Sequence, residues 1–245
     1  MSDWIDPQQR QTEAAAAART AGVGTVAVDQ GLRSHMLKVY NYMGSGVLLT
    51  GIVAMLFANS AIGQQIMMSP LRFVLMFAPL AFVLVMSFGA QKMSQGTLQL
   101  CFWGFATVMG LSMSTIFLVY TGASIAQTFF VTAVAFLGLS LVGYTTKKDL
   151  TAMGSFLIMG VIGLFVAMLV NLFLQSSMFN LVISAIGVLI FAGLTAYDTQ
   201  RIKSEYFQYA GTPWLGKAAI LGALNLYLDF INMFQFLLSF LGSRD

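Results

Sequence analysis

The chain has few charged residues. Only 9% of its 245 residues are Asp, Glu, Lys or Arg, whereas 58% are hydrophobic. A soluble domain usually carries about 25% charged residues. The shortage of charge excludes an ordinary water-exposed surface and indicates a protein that lies in a lipid bilayer.

Cysteine and histidine are scarcer still. One cysteine, Cys101, excludes an intramolecular disulfide and a cluster of thiolate ligands. The one histidine, His35, precedes the first apolar run, so neither a zinc site of several histidines nor a Ser-His-Asp triad within the membrane is expected. No resident cofactor is therefore expected. The basic residues are dispersed along the chain, which argues against nucleic acid as a partner.

Long uncharged runs predict the membrane spans. Residues 93–146 and 150–197 each exceed twice the roughly 20 residues that a helix needs to cross a hydrocarbon core about 30 Å thick. Polar breaks, YTGAS at 120–124 and QSSMFN at 175–180, predict a turn within each run. The chain is thus predicted to be an all-α polytopic membrane protein with seven transmembrane helices. The three spans outside these runs are predicted at residues 39–61, 71–91 and 216–241.

The distribution of Lys and Arg predicts the orientation, because cytoplasmic loops are enriched in both. Ten basic residues fall on the side of the N-terminus and two on the other, so the N-terminus is expected to be cytoplasmic and the C-terminus outside. The ten are Arg10, Arg19, Arg33, Lys38, Lys92, Lys147, Lys148, Arg201, Lys203 and Lys217, and the two are Arg72 and Arg244.

The N-terminal segment is small and weakly apolar. Residues 1–34 are therefore predicted to be a flexible cytoplasmic tail, and residues 35–245 the seven-helix transmembrane domain. A short amphipathic helix over residues 12–20 is the alternative. Within the spans, small residues at four-residue spacing, as at Ala106, Gly110 and Ser114, predict close helix packing.

Asp198 and Asp229 are the two acidic residues expected within the helices. The sequence AGTPW between them predicts a hairpin apex, because Gly211 and Pro213 break helices. Asp198 lies fifteen residues before Pro213 and Asp229 sixteen after it, so in an antiparallel pair the two carboxyl groups reach similar depth.

An aspartate pair within the membrane predicts a functional site, because intramembrane acids usually line a pathway or pair with another group. Facing carboxyl groups cannot both ionise cheaply and are expected to share a proton. Ionised, they could attract a cation, so Asp198 and Asp229 are also candidates for a transient calcium contact. A purely structural alternative pairs Asp198 with Arg201 or Lys203. Asp229 then accepts hydrogen bonds from neighbours such as Asn225 or Asn232, and Asn171 bonds between helices as a mid-span residue.

Three segments together resemble the Bax inhibitor-1 family: GYTTKKDLTAMGSF, GLTAYDTQRIK and ALNLYLDFINMFQFLLSFLG. The resemblance covers about residues 33–243. It implies six helices around a central polar seventh helix, and a pH-sensitive calcium leak controlled by an aspartate pair that matches Asp198 and Asp229. It also implies a bacterial-type member in the inner (plasma) membrane. Some relatives carry an acidic and a basic residue on the second helix that latch the pore, and residues 73–91 of this chain contain neither.

The expected function is therefore a pH-sensitive calcium leak channel, with calcium as the transported ion. Arg201 and Lys203 are expected to tune the ionisation of Asp198, and Asn225, Asn232 and Asn171 to support the site. An enzyme is not expected, because an aspartyl intramembrane protease needs a Gly-x-Gly-Asp motif where this chain has Tyr-Leu-Asp. The alternative is a non-conducting protein that modulates a membrane protease or a stress or cell-death regulator.

Overall fold

The architecture is all-α over the described part of the chain. The structure is a computed structural model that describes the backbone of residues 7–243 and the side chains of residues 30–243. Nine helices occur within residues 7–243. They are α1 (Pro7–Ala58), α2 (Ala61–Met68), α3 (Leu71–Gly89), α4 (Gln95–Met113), α5 (Ile116–Val119), α6 (Gly122–Thr145), α7 (Thr151–Leu174), α8 (Ser177–Tyr209) and α9 (Leu215–Leu241).

Hydroxyl side chains mark where the helices begin. Ser94, Thr121 and Ser176 each accept a hydrogen bond from a backbone N–H in the first turn of α4, α6 and α8, which satisfies a donor that the helix itself leaves free. Before Ser176, Gln175 takes a left-handed conformation with φ of 51°. Thr121 and Ser176 lie at the two polar breaks, so the predicted turns within the long apolar runs are confirmed.

Seven segments of residues 7–243 are long and apolar enough to cross a membrane. Six are single helices or parts of one, and the third span joins α4 and α5 as Gln95–Val119. The prediction of seven transmembrane helices is thus confirmed, and the chain is described below as an integral membrane protein.

Helix α9 is the most enclosed span. In its most apolar stretch 61% of the residues are buried, against at most 33% for the other spans. It packs against α8, α1, α6 and α4, whereas α3 packs mainly on α4, and α7 on α8. A central helix of polar character, which the resemblance implies, stays a prediction.

Small residues bring neighbouring helices into close contact. A Cβ placed on Gly110 of α4 would lie 2.7 Å from the carbonyl oxygen of Thr50 in α1, and Ala106 and Ser114 on the same stripe are fully buried. In α6, Gly143 lies against the backbone of Ala196 in α8. Since lipid offers little hydrophobic drive for helix association, such close packing is a main source of stability.

The first helix begins well before the first predicted span at residues 39–61. The backbone is helical without a break from Pro7 to Ala58, so the helix left open over residues 12–20 is part of a longer one. The division at residue 34 and the flexibility of the preceding segment stay predictions. Residues 1–6 and Arg244 lie outside the described residues.

The loop before α7 is held by local hydrogen bonds. The hydroxyl and the backbone N–H of Thr151 both donate to Oδ1 of Asp149. The hydroxyl bond first, and then the backbone bond, lower the pKa of this exposed carboxyl group from its ordinary value.

Candidate functional site: a buried aspartate pair

Helices α8 and α9 form an antiparallel hairpin. The connection contains Gly211 with φ of 77°, a backbone conformation that glycine adopts without steric cost. At the far end of the hairpin, Asn180 and Ser184 of α8 both donate to the hydroxyl of Ser239 in α9, at 3.1 and 3.0 Å. The hairpin predicted from AGTPW is present, and it fixes the relative depth of side chains on the two helices.

The two aspartates meet between these helices. Asp198 is 7% exposed and Asp229 is 4% exposed, and their carboxyl groups lie within hydrogen-bonding reach of each other. A hydrogen bond between two carboxyl groups requires a proton on one of them. Oδ2 of Asp229 is buried and accepts no hydrogen bond from a donor group among the described residues.

An arginine compensates one of the carboxyl groups. Nη2 of Arg201 lies 3.3 Å from Oδ1 of Asp198, one helical turn away, and Nε lies 3.4 Å from Oε1 of Glu205. The guanidinium also lies 5.8 Å from the ring centroid of Tyr197. The side chain of Arg201 is 34% exposed. The ion pairs of Arg201 therefore extend from the buried aspartates toward the exposed end of α8.

Glu205 corrects the sequence-based expectation that only two acidic residues lie within the helices. It belongs to α8 and forms the second ion pair of Arg201. Glu205 falls outside the apolar run, so a search of apolar segments misses it. Helical spacing could have found it: positions 198, 201 and 205 share one face of a helix with 3.6 residues per turn.

Lys203 lies away from the pair. Its Nζ donates to the carbonyl oxygen of Tyr144 at 2.8 Å and lies 4.8 Å from the centroid of that ring. Five residues correspond to about 140° around a helix, so Lys203 and Asp198 face different neighbours. Of the two basic residues expected to tune Asp198, the structure brings only Arg201 into contact with it.

The three asparagines are not gathered at the pair. Asn232 donates to the carbonyl oxygen of Leu228 one turn earlier, and Asn225 is partly buried on α9. The expectation that Asn171 lies mid-span is wrong: it lies in the last turn of α7 and accepts a hydrogen bond from the backbone N–H of Ser176. This bond stabilises the turn into α8 instead of a site within the bundle.

The donor set suits a passing cation better than a resident one. Carboxylate oxygens are ligands that calcium prefers, but a stable calcium site takes six to eight oxygens. Within residues 30–243, no group of three or more His, Cys, Asp or Glu side chains is arranged to hold a metal ion. The pair is therefore chemically suited to proton exchange and to a transient cation contact.

Seven apolar helices and a buried pair of aspartates define an integral membrane protein with an ionisable site in its bundle. The family model described as Inhibitor of apoptosis-promoting Bax1 matches residues 32–245. The chain belongs to this family, the Bax inhibitor-1 family, as the three sequence segments predicted.

The relatives are bacterial. The chain is 48% identical to RP147 of Rickettsia prowazekii over 218 residues, covering 88% of this chain and 92% of that protein. It is 46% identical to the inner membrane protein YbhL of Escherichia coli K12 over 218 residues, covering 87% and 93%. The membrane protein SpyM3_0260 of Streptococcus pyogenes is 35% identical over 221 residues, covering 89% and 96%.

Proposed function

We propose that this protein is a calcium leak channel of a bacterial inner membrane, and that the protonation of Asp198 and Asp229 controls it. Its N-terminus lies in the cytoplasm and its C-terminus outside, in accord with the excess of Lys and Arg on one side. Calcium is the transported ion and contacts the carboxyl groups in transit. The relative YbhL is named an inner membrane protein, which supports the choice of membrane.

One observation carries this proposal: two buried carboxyl groups lie within hydrogen-bonding reach in the hairpin of α8 and α9. Two unit negative charges about 4 Å apart repel by about 4 kcal/mol at an effective dielectric constant of 20. Arg201 offsets part of this repulsion at Asp198. Loss of the shared proton thus raises the energy of the closed hairpin by up to this amount.

The sign of the response follows from this geometry. With the proton present, the pair holds α8 and α9 together and the pathway is closed. Without it, the carboxylates repel each other, draw in water and attract a cation. We therefore expect calcium flux to rise with pH, by at most about tenfold per pH unit for the loss of one proton.

Calcium flux into liposomes tests the proposal. The purified protein, Asp229→Asn and Asp149→Asn are compared in a mildly acidic to mildly alkaline pH series. Asp229→Asn is expected to remove the pH response, because the amide cannot ionise. Asp149→Asn removes an exposed carboxyl group outside the spans and is expected to leave the response unchanged.

Two results would contradict the proposal. An unchanged pH response in Asp229→Asn would show that the pair does not control the flux. If no variant moves calcium at any pH, the channel function fails as a whole. The alternative, a non-conducting protein that modulates a membrane protease or a stress or cell-death regulator, would then take its place.

A further inference from the structure

A groove lies between the N-terminal part of the first span and helix α4. It has a cavity volume of 590 Å³. Ser34, Lys38 and Asn41 of α1 follow one another at three- or four-residue spacing along it, and Trp103 of α4 lines it from the opposite side. We refer to it as the α1–α4 groove, and it is separate from the aspartate pair between α8 and α9.

The groove carries two positive charges. Arg33 and Lys38 both line it and are both exposed. Within residues 30–243 the ion pairs found are those of Arg201 with Asp198 and Glu205. Neither cation of the groove is therefore paired with a carboxylate within residues 30–243.

Aromatic residues indicate the depth of the groove in the bilayer. The rings of Tyr42 and Trp103 lie 6.2 Å apart at its inner end, and such side chains are enriched at the boundary between hydrocarbon and headgroups. Along α1, Lys38 lies about 6 Å and Arg33 about 13 Å beyond Tyr42. The headgroup layer is about 5 to 7 Å thick on each side, so with Tyr42 and Trp103 at the boundary Lys38 lies at the level of the phosphates. The long side chain of Arg33 can reach back toward the same level.

We propose that the α1–α4 groove binds the headgroup of an anionic phospholipid. Arg33 and Lys38 bind the phosphate, because a guanidinium and an ammonium both form strong charge-assisted hydrogen bonds to phosphate oxygens. Ser34, next to Arg33, offers a hydrogen bond to the phosphate, Asn41 offers one to the glycerol oxygens nearer the hydrocarbon, and Trp103 packs against the start of an acyl chain. Basic pockets between transmembrane helices are known binding sites for such headgroups.

The fluorescence of Trp103 provides the test. Trp4→Phe and Trp214→Phe leave Trp103 as the single tryptophan of the full-length chain. Its quenching is measured in phosphatidylcholine bilayers that contain brominated phosphatidylglycerol or brominated phosphatidylcholine. We expect a preference for phosphatidylglycerol of about fivefold to thirtyfold, since each basic residue near an anionic surface contributes about a factor of five.

Two double variants test which basic residues cause the preference for phosphatidylglycerol. Arg33→Gln with Lys38→Gln is expected to reduce it to about one. Lys147→Gln with Lys148→Gln removes two exposed charges in a loop predicted on the same side, and is expected to keep it. Inorganic phosphate at constant ionic strength is expected not to reduce the quenching, because the acyl chain holds the lipid.

Each remaining outcome overturns the proposal. Equal quenching by both lipids in the parent protein would overturn it, and this result does not depend on the behaviour or the folding of the variants. An equal loss in both double variants would assign the preference to general surface charge. Displacement by inorganic phosphate would assign the groove to a free anion. None of these results depends on whether the protein conducts calcium.

Discussion

Replacement of Gly143 by alanine is expected to force helices α6 and α8 apart. A Cβ at this position would lie within 3.0 Å of the carbonyl oxygen, the carbonyl carbon and Cα of Ala196. These are backbone atoms, so no side-chain rotation can relieve the contact. Moving the carbonyl carbon from 2.8 Å to an ordinary contact at 3.4 Å requires a shift of at least about 0.6 Å at this point, and the carbonyl oxygen, which lies nearer, requires more.

The expected cost is about 1 to 3 kcal/mol, the usual range for extra volume in a packed interior. The interface also contains the hydrogen bond from Thr199 to Ser140 at 3.4 Å, which a wider separation would break. For a chain of this size the cost corresponds to a decrease in Tm of about 2 to 12 °C. Gly138 of the same helix is the matched control, because a Cβ there has no atom within 4 Å.

Thermal unfolding in detergent, followed by tryptophan fluorescence, measures both variants. Gly138→Ala is expected to unfold at the temperature of the parent protein or slightly above it, because alanine is the better helix former. The reasoning would be refuted if Gly143→Ala unfolded at that temperature too, or if both substitutions lowered Tm equally. Either result would mean that α6 and α8 are not in backbone contact at this level.

Two further predictions follow from contacts of the hairpin helices. Arg201→Gln removes the counter-charge of the carboxyl pair and is expected to raise the pH at which calcium flux increases. Lys203→Gln is expected to leave the flux profile unchanged, and equal profiles for both variants would contradict this. Tyr227→Phe removes the 2.6 Å hydrogen bond to Thr50 and is expected to destabilise the fold by about 1 kcal/mol. Thr50→Val also removes the 2.8 Å bond from α1 to α4 and should cost about twice as much in thermal unfolding, and the opposite order would argue against this link.

The spans were predictable because charge and apolar length are local properties of the sequence. The breaks near residues 120 and 175 combine polar residues with hydroxyl caps, and the structure places Thr121 and Ser176 there. The hairpin of α8 and α9 was equally predictable from Gly211 and Pro213. Counting residues from this apex was enough to bring Asp198 and Asp229 together.

The surroundings of the pair were less predictable, because they depend on which way each side chain faces. Distance along the chain suggested that Arg201 and Lys203 act alike, but only Arg201 shares the helix face of Asp198. Glu205 was missed because it lies beyond the apolar run. Asn171 contacts the backbone of Ser176 because Gln175, with its left-handed conformation, turns the chain there. The pattern of polar and apolar residues does not predict such a turn.

The length of α8 has a consequence for the aspartate pair. Its 33 residues extend over about 50 Å, whereas the hydrocarbon core is about 30 Å thick. The exposed fraction falls from 29% for the side chain of Glu205 to 10% for that of Asp198, and Asp229 is buried behind it. Water thus approaches the pair from one end of the bundle. Under the proposed function, a proton that enters or leaves the pair exchanges with the compartment at that end, and the protein responds to the acidity of that compartment and not of the other.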